Sequence, residues 1–168
     1  VGGDDCNDAE DTIYPTAPEL CDGQINNCST TSLPSDEIDD DSDGYVDCTI
    51  DAGGWDASST YPTGGGDCND GEPTTYPFAA ELCDGQINNC DTTSLPFNEI
   101  DNDGDGYVEC TIDVSGWDGM SISGGDDCND AEYTIYVGAS ELCDGQINDC
   151  STSSLHSDEV DDDGDGYV

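Results

Sequence analysis

Asp39-Asp40-Asp41-Ser42-Asp43-Gly44-Tyr45-Val46-Asp47-Cys48 sets carboxylates at alternate positions and closes them with a glycine. The stretch returns as Asp101-Asn102-Asp103-Gly104-Asp105-Gly106-Tyr107-Val108-Glu109-Cys110, and again as Asp161-Asp162-Asp163-Gly164-Asp165-Gly166-Tyr167-Val168. In so short a loop the first, third and fifth side chains can converge on one point, as a hard cation requires. These are Asp39, Asp41 and Asp43, then Asp101, Asp103 and Asp105, then Asp161, Asp163 and Asp165. The glycine permits the sharp turn that brings a backbone carbonyl, of Tyr45, Tyr107 or Tyr167, into the same shell. Asp47 and Glu109 fall at the ninth position, another usual ligand place. The twelfth is Ile50 or Ile112, where an EF-hand carries a bidentate Glu, so a further ligand is expected from elsewhere. Asp51 and Asp113 are nearby candidates, and the Gly-Gly-Asp-Asp-Cys-Asn-Asp type of segment that follows each loop offers more oxygens.

That segment is itself repeated. Asp5-Cys6-Asn7-Asp8 recurs as Asp67-Cys68-Asn69-Asp70 and Asp127-Cys128-Asn129-Asp130, at steps of 62 and 60 residues. Glu19-Leu20-Cys21-Asp22-Gly23-Gln24-Ile25-Asn26 recurs from Glu81 and Glu141 with the same steps. The extra residues lie after Trp55, in Ala57-Ser58-Ser59-Thr60-Tyr61-Pro62-Thr63, which places repeat boundaries in that linker. Three metal-binding repeats are expected, over 1–62, 63–122 and a truncated 123–168. The missing initial Met and the end at Val168, partway through a repeat, predict a piece of a longer chain. Asp5, Asn7, Asp8 and Glu10, followed by Glu19, Asp22, Asn26 and Asn27, form a second oxygen-rich set in each copy. For Asn26 and Asn27, ligation and turn formation are both open.

Composition narrows the field. The 168 residues carry 42 Asp and Glu, no Lys or Arg, and a formal charge of −42. No internal salt-bridge network can balance this, so counterions must, and divalent ones act most effectively at close range. Such acidity could also mark a solvated, disordered polyanion, but 11 Cys, 8 Tyr and 2 Trp argue for a folded chain. Nothing neutralises phosphate, which excludes nucleic acid as a partner. No apolar run approaches a membrane span and no signal peptide is evident, so membrane insertion is not expected. Calcium, which accepts six to eight oxygens in flexible geometry, suits the donors better than magnesium. Copper or zinc would prefer His or thiolate, and the sole His, His156, stands where the other copies have Pro34 and Pro96.

Cysteine at this density predicts disulfides and an oxidising, extracellular compartment. The preferred pairing closes Cys21–Cys28, Cys83–Cys90 and Cys143–Cys150 within repeats. It ties Cys48 to Cys68 and Cys110 to Cys128 between them, leaving Cys6 unpaired. The rival pairs Cys6 with Cys21 and Cys28 with Cys48. Apolar residues such as Leu20, Ile25, Leu33, Ile38, Tyr45, Ile50 and Trp55 are too sparse for a self-sufficient core. The Tyr14-Pro15 step predicts an extended segment, and Asp36-Glu37-Ile38 a short helical turn.

In combination, Gly-Gly-Asp-Asp-Cys-Asn-Asp, Tyr-Pro-x-Ala-x-Glu-Leu-Cys-Asp-Gly, Asn-Asn-Cys and Asp-x-Asp-x-Asp-Gly-Tyr-Val resemble the MopE-type metal-binding repeats of secreted and cell-surface bacterial proteins. The acidic loop is also similar to calcium loops of thrombospondin type 3 repeats and dockerins. The resemblance implies metal binding outside the cell by Asp39, Asp41, Asp43 and their equivalents. The fold expected is small, loop-rich tandem repeats with little regular secondary structure, stapled by Ca²⁺ and disulfides into an elongated, rod-like array. The function expected is an extracellular calcium-binding structural protein, a stalk or fibre segment that self-associates. Rival readings are a soluble calcium- or metal-sequestering surface protein and a calcium-dependent adhesin. No catalytic set emerges, so no enzyme is expected. Ser29-Thr30-Thr31-Ser32 and the acceptor pattern Asn27-Cys28-Ser29 mark candidate sites for attached glycans.

Overall fold

A computed structural model describes residues 5–57 and 61–168. Gly2-Gly3-Asp4 and Ser58-Ser59-Thr60, part of the boundary linker, lie outside the described residues. Regular structure is sparse. Three single 3₁₀ turns cover Ser35–Glu37, Phe97–Glu99 and Ser157–Glu159. Two short strands, β1 (Tyr45–Val46) and β2 (Gly64–Gly65), pair in parallel. The chain divides into two compact units, Val1–Ala80 with Asn88–Thr93, and Glu81–Ile87 with Ser94–Val168.

In the first unit, Pro15 keeps Tyr14 extended, and Tyr14 bridges Asn27 through Tyr14 N–H to the Asn26 carbonyl (3.1 Å). This bridge carries Cys28 back to the start of the repeat, where it bonds Cys6. Cys21 is left to reach the end of the acidic loop at Cys48. Cys68–Cys90 repeats the first link in the same unit. Cys83–Cys110 and Cys128–Cys150 are the equivalents in the second unit, where Cys143 is free and exposed.

Neither pairing expected from spacing occurs. Cys21–Cys28, Cys83–Cys90 and Cys143–Cys150 do not close, nor do Cys48–Cys68 and Cys110–Cys128, and Cys6 is bonded. The 22–27 loop needs no disulfide, because side chains already close it. Asp22 Oδ1 accepts the Gln24 N–H at 2.7 Å, and Glu19 accepts the Asn26 and Asn27 N–H groups at 2.9 and 3.1 Å.

The interior is more polar than apolar. Among the described residues Ile13, Ala17, Val46, Ala79, Val108, Ile135 and Ala139 are buried, but so are Asp22, Asn26, Glu37, Asp67, Asp84, Asn88, Glu99, Asp127, Asn148 and Glu159. Leu20, Ile25, Leu33, Ile50 and Trp55 are only half-buried, and Ile38 is exposed. Side-chain-to-backbone hydrogen bonds therefore take over much of the work of a core. Asn26, fully buried, accepts the Leu20 N–H at 2.7 Å and donates to Asp22 Oδ2 at 3.0 Å. Glu37 Oε2 accepts the N–H groups of Asp22 (3.2 Å) and Gly23 (2.7 Å). Gly23, at φ +77°, also lies so close to Trp55 that a Cβ would come within 2.5 Å of the indole.

Two outcomes follow from these contacts. Asn26→Ala leaves the Leu20 N–H and an Asp22 oxygen without partners, and should lower unfolding stability by about 2 kcal/mol in a denaturant titration. Alkylation of the unreduced native protein should label Cys143 alone, with Cys6–Cys28 and Cys21–Cys48 recovered as linked peptides.

Candidate metal centre

Each acidic loop is wound by its own carboxylates. Asp39 accepts the N–H groups of Ser42 (2.7 Å) and Gly44 (3.1 Å), Asp41 that of Asp43 (3.0 Å), and Asp43 that of Tyr45 (2.7 Å). The second loop repeats the pattern, with Asp101 accepting from Gly104 (2.7 Å) and Gly106 (2.9 Å), Asp103 from Asp105 (3.1 Å), and Asp105 from Tyr107 (2.8 Å). The third does so through Asp161, Asp163 and Asp165. One oxygen of each Asp at the third and fifth positions thus shapes the turn, and in the first two loops the other is buried. Gly44 and Gly106 take φ of +99° and +95°, the left-handed geometry that a side chain resists.

What closes over the loop is the next Asp-Cys-Asn-Asp segment, brought there by β2. Tyr45 pairs with Gly64 and Val46 with Gly65, while the Gly66 and Asp67 N–H groups donate to the Val46 carbonyl at 2.9 and 3.0 Å. Both β2 glycines are required by close approach. A Cβ on Gly65 would lie 2.2 Å from the Cys48 carbonyl, and one on Gly64 would lie 2.8 Å from the Tyr45 ring. In the second unit Gly125 and Gly124 stand equally close to Cys110 and Tyr107, and Asp127 N–H donates to the Val108 carbonyl at 3.0 Å. Tyr45 stacks on Tyr76 at 5.1 Å, and Tyr107 on Tyr136 at 4.9 Å.

Carboxylates converge as a result. One oxygen from each of Asp39, Asp41 and Asp43 lies within 4.8 Å of the others, and the same holds for Asp41, Asp67 and Asp70, and for Asp101, Asp103 and Asp105. Asp67 and Asp127 are only 5% and 2% exposed. The Oδ2 atoms of Asp41, Asp43 and Asp67 are buried with no hydrogen-bond partner, and so are those of Asp103, Asp105 and Asp127. A buried carboxylate oxygen without a donor is costly, and the same trio recurs in both units. Burial first, then neighbouring carboxylates, pushes the carboxyls of Asp43, Asp67 and Asp127 above the ordinary aspartate range, and that of Asp105 to about 6. In the third loop, which nothing covers among the described residues, Asp161 is instead held low by the Gly166 and Gly164 N–H groups.

The remaining expected ligands are placed differently. Asp47 and Glu109 are exposed, although Asp47 is among the charges acting on Asp67 and Asp70. Asp51 and Asp113 accept N–H groups of their own turns, from Gly53 (2.7 Å) and Ser115 (2.9 Å). Asp5 and Asp8 are exposed, as are Asn69 and Asn129, and Asn7 is half-buried; the three Asn carbonyls accept from Glu10, Glu72 and Glu132. Glu19, Asp22, Asn26 and Asn27 are engaged in backbone and side-chain hydrogen bonds, so the turn-forming role is the one their geometry supplies. Tyr167 and the carboxylates of the third loop are exposed. Sequence reasoning missed Glu37, Glu99 and Glu159, each buried and each accepting backbone N–H groups from the Asp-Gly turn of its own copy. Their recurrence three residues or fewer before every acidic loop was the available signal.

The donors are those of a hard cation. His156 is exposed beside Asp158, Met120 is 88% exposed, and the sulfurs nearest the carboxylates are held in Cys68–Cys90 and Cys128–Cys150. Neither imidazole, thioether nor thiolate is offered at the loops, so the residues do not fit copper. One family model, Cu-binding MopE, described as "Putative metal-binding motif", matches residues 5–32, 30–47, 67–94, 92–109 and 127–154. No curated protein and no solved structure matches the chain.

The raised carboxyls give a pH dependence. A carboxyl whose pKa rises on folding binds its proton more tightly in the folded than in the unfolded state. The metal-free protein should therefore lose stability as pH rises from the ordinary aspartate value of 3.8 toward the value of about 6 at Asp105. Thermal melts in chelator across that window should show a falling Tm, with the fall reduced in Asp105→Asn.

Proposed function

The chain belongs to the Cu-binding MopE family of metal-binding motifs, and we propose that it is an extracellular structural protein whose acidic loops are filled by calcium. The observation that carries this reading is the recurrent trio of buried, partnerless oxygens on Asp41, Asp43 and Asp67, and on Asp103, Asp105 and Asp127. An all-oxygen donor set suits calcium, with the carbonyls of Tyr45 and Tyr107 as further ligands. Five disulfides fit a secreted protein. Among the described residues no helix is long and apolar enough to cross a membrane.

Each covered loop is completed by the segment that opens the following sequence repeat, so a bound ion acts as a joint along the chain. A series of such joints makes a stiff stalk or fibre segment, in which self-association and catalytic inactivity are part of the same reading. The exposed run Ser29-Thr30-Thr31-Ser32 is where attached glycans would sit.

Thermal unfolding with disulfides intact tests the proposal. Excess EGTA should lower the Tm by tens of degrees or abolish the cooperative transition, and calcium should restore it more fully than magnesium. Calcium binding with an unchanged melt would favour a metal-sequestering protein held by its disulfides alone.

A further inference from the structure

Resting on the calcium reading above, we propose that each covered loop holds a pair of cations, bridged by the third-position carboxylate, Asp41 in the first unit and Asp103 in the second. Two triplets meet at Asp41: one with Asp39 and Asp43, the other with Asp67 and Asp70. The oxygens around one calcium, each 2.3–2.6 Å from it, span no more than about 5 Å. Each triplet meets that limit by itself, and each has its own partnerless buried oxygen, on Asp43 in the first and on Asp67 in the second. Asp67, at 5% exposure, is a carboxylate that solvent cannot satisfy.

Charge favours the pair. Asp39, Asp41, Asp43, Asp67 and Asp70 bring five negative charges together, Asp47 acts on Asp67 and Asp70 as a sixth, and the chain has no Lys or Arg. One divalent ion would leave four of these charges unopposed, and two would leave two. Asp70 is held at the loop by the Asp40 N–H, donated to its Oδ1 at 2.9 Å. In the second unit Asp130 is held by the Asn102 N–H at 2.8 Å and by the Asn102 side-chain amide, and Asp103 and Asp130 are the charges acting most strongly on Asp127.

Equilibrium dialysis of the full, disulfide-intact chain against calcium, followed by elemental analysis, counts the ions. The wild type should bind two at each covered loop. The Asp70→Asn/Asp130→Asn variant, whose amide oxygens can still accept from Asp40 and Asn102, should lose one at each and keep the rest. A wild type saturating at one ion per covered loop, or a variant binding as many as the wild type, would overturn the pair while leaving the calcium reading intact. Absence of calcium binding in the wild type would overturn both. Mn²⁺ provides a readout independent of any variant. Electron paramagnetic resonance at saturation should show the broadened spectrum of closely coupled ions, and a purely isolated-ion hyperfine pattern would sink the pair.

Discussion

Carboxylates packed against carboxylates, in a chain with no basic residue, are the constraint from which the rest of this structure follows. Two unit charges 4.8 Å apart, the limit within each triplet, repel by about 3.5 kcal/mol at an effective dielectric constant near 20. Several such pairs meet at each covered loop, and local N–H groups neutralise only one oxygen of most of them. A backbone cannot hold that arrangement by packing, because the apolar residues near it are few. Val46 and Val108 are the largest fully buried apolar side chains, one beside each covered loop. Oxygens left without donors in the same positions of both units therefore belong to a site built for an external charge, in keeping with membership of a metal-binding family.

The scaffold that presents these oxygens divides its labour between two kinds of link. Disulfides staple each copy internally, in an interlaced order in which the first cysteine meets the third and the second meets the fourth. Each constrains the unfolded chain by about 2–4 kcal/mol, a substantial contribution where the apolar interior is so thin. The step from the acidic loop to the following segment is made instead by main chain, through the β1–β2 pair and the glycines that let it close. Gly64 and Gly65, with Gly124 and Gly125, are the reason that Asp67 and Asp127 arrive at the loops. Covalent links within a copy are thus followed by a main-chain contact to the next segment that no disulfide reinforces.

Much of the candidate site was legible in the residues. Aspartates at alternate positions before a glycine, in three copies, are a direct statement of side-chain convergence, because a loop of that length has few other ways to turn. The further oxygens expected from outside the loop were sought in the Asp-Cys-Asn-Asp segment, and the structure sets Asp67 and Asp70 of that segment beside Asp41. Asn26 was harder to read, since an Asn in an acidic stretch serves equally well as ligand or turn former. Only its burial and its bonds to Leu20 and Asp22 show which role its geometry supplies.

By itself the sequence determined the repeat, its loop-rich character, the excess of negative charge and the oxygen chemistry of the loops, all of which are local or compositional properties. Tertiary structure alone decided which cysteines meet and which oxygens lose their partners. Disulfide connectivity depends on where the Tyr14–Asn27 bridge carries Cys28, a relation between segments that spacing does not encode. The solitary oxygens of Asp41, Asp43 and Asp67 likewise exist only once Gly64 and Gly65 have brought two distant stretches into van der Waals contact, because burial is a property of the assembled surface and not of any residue in the chain.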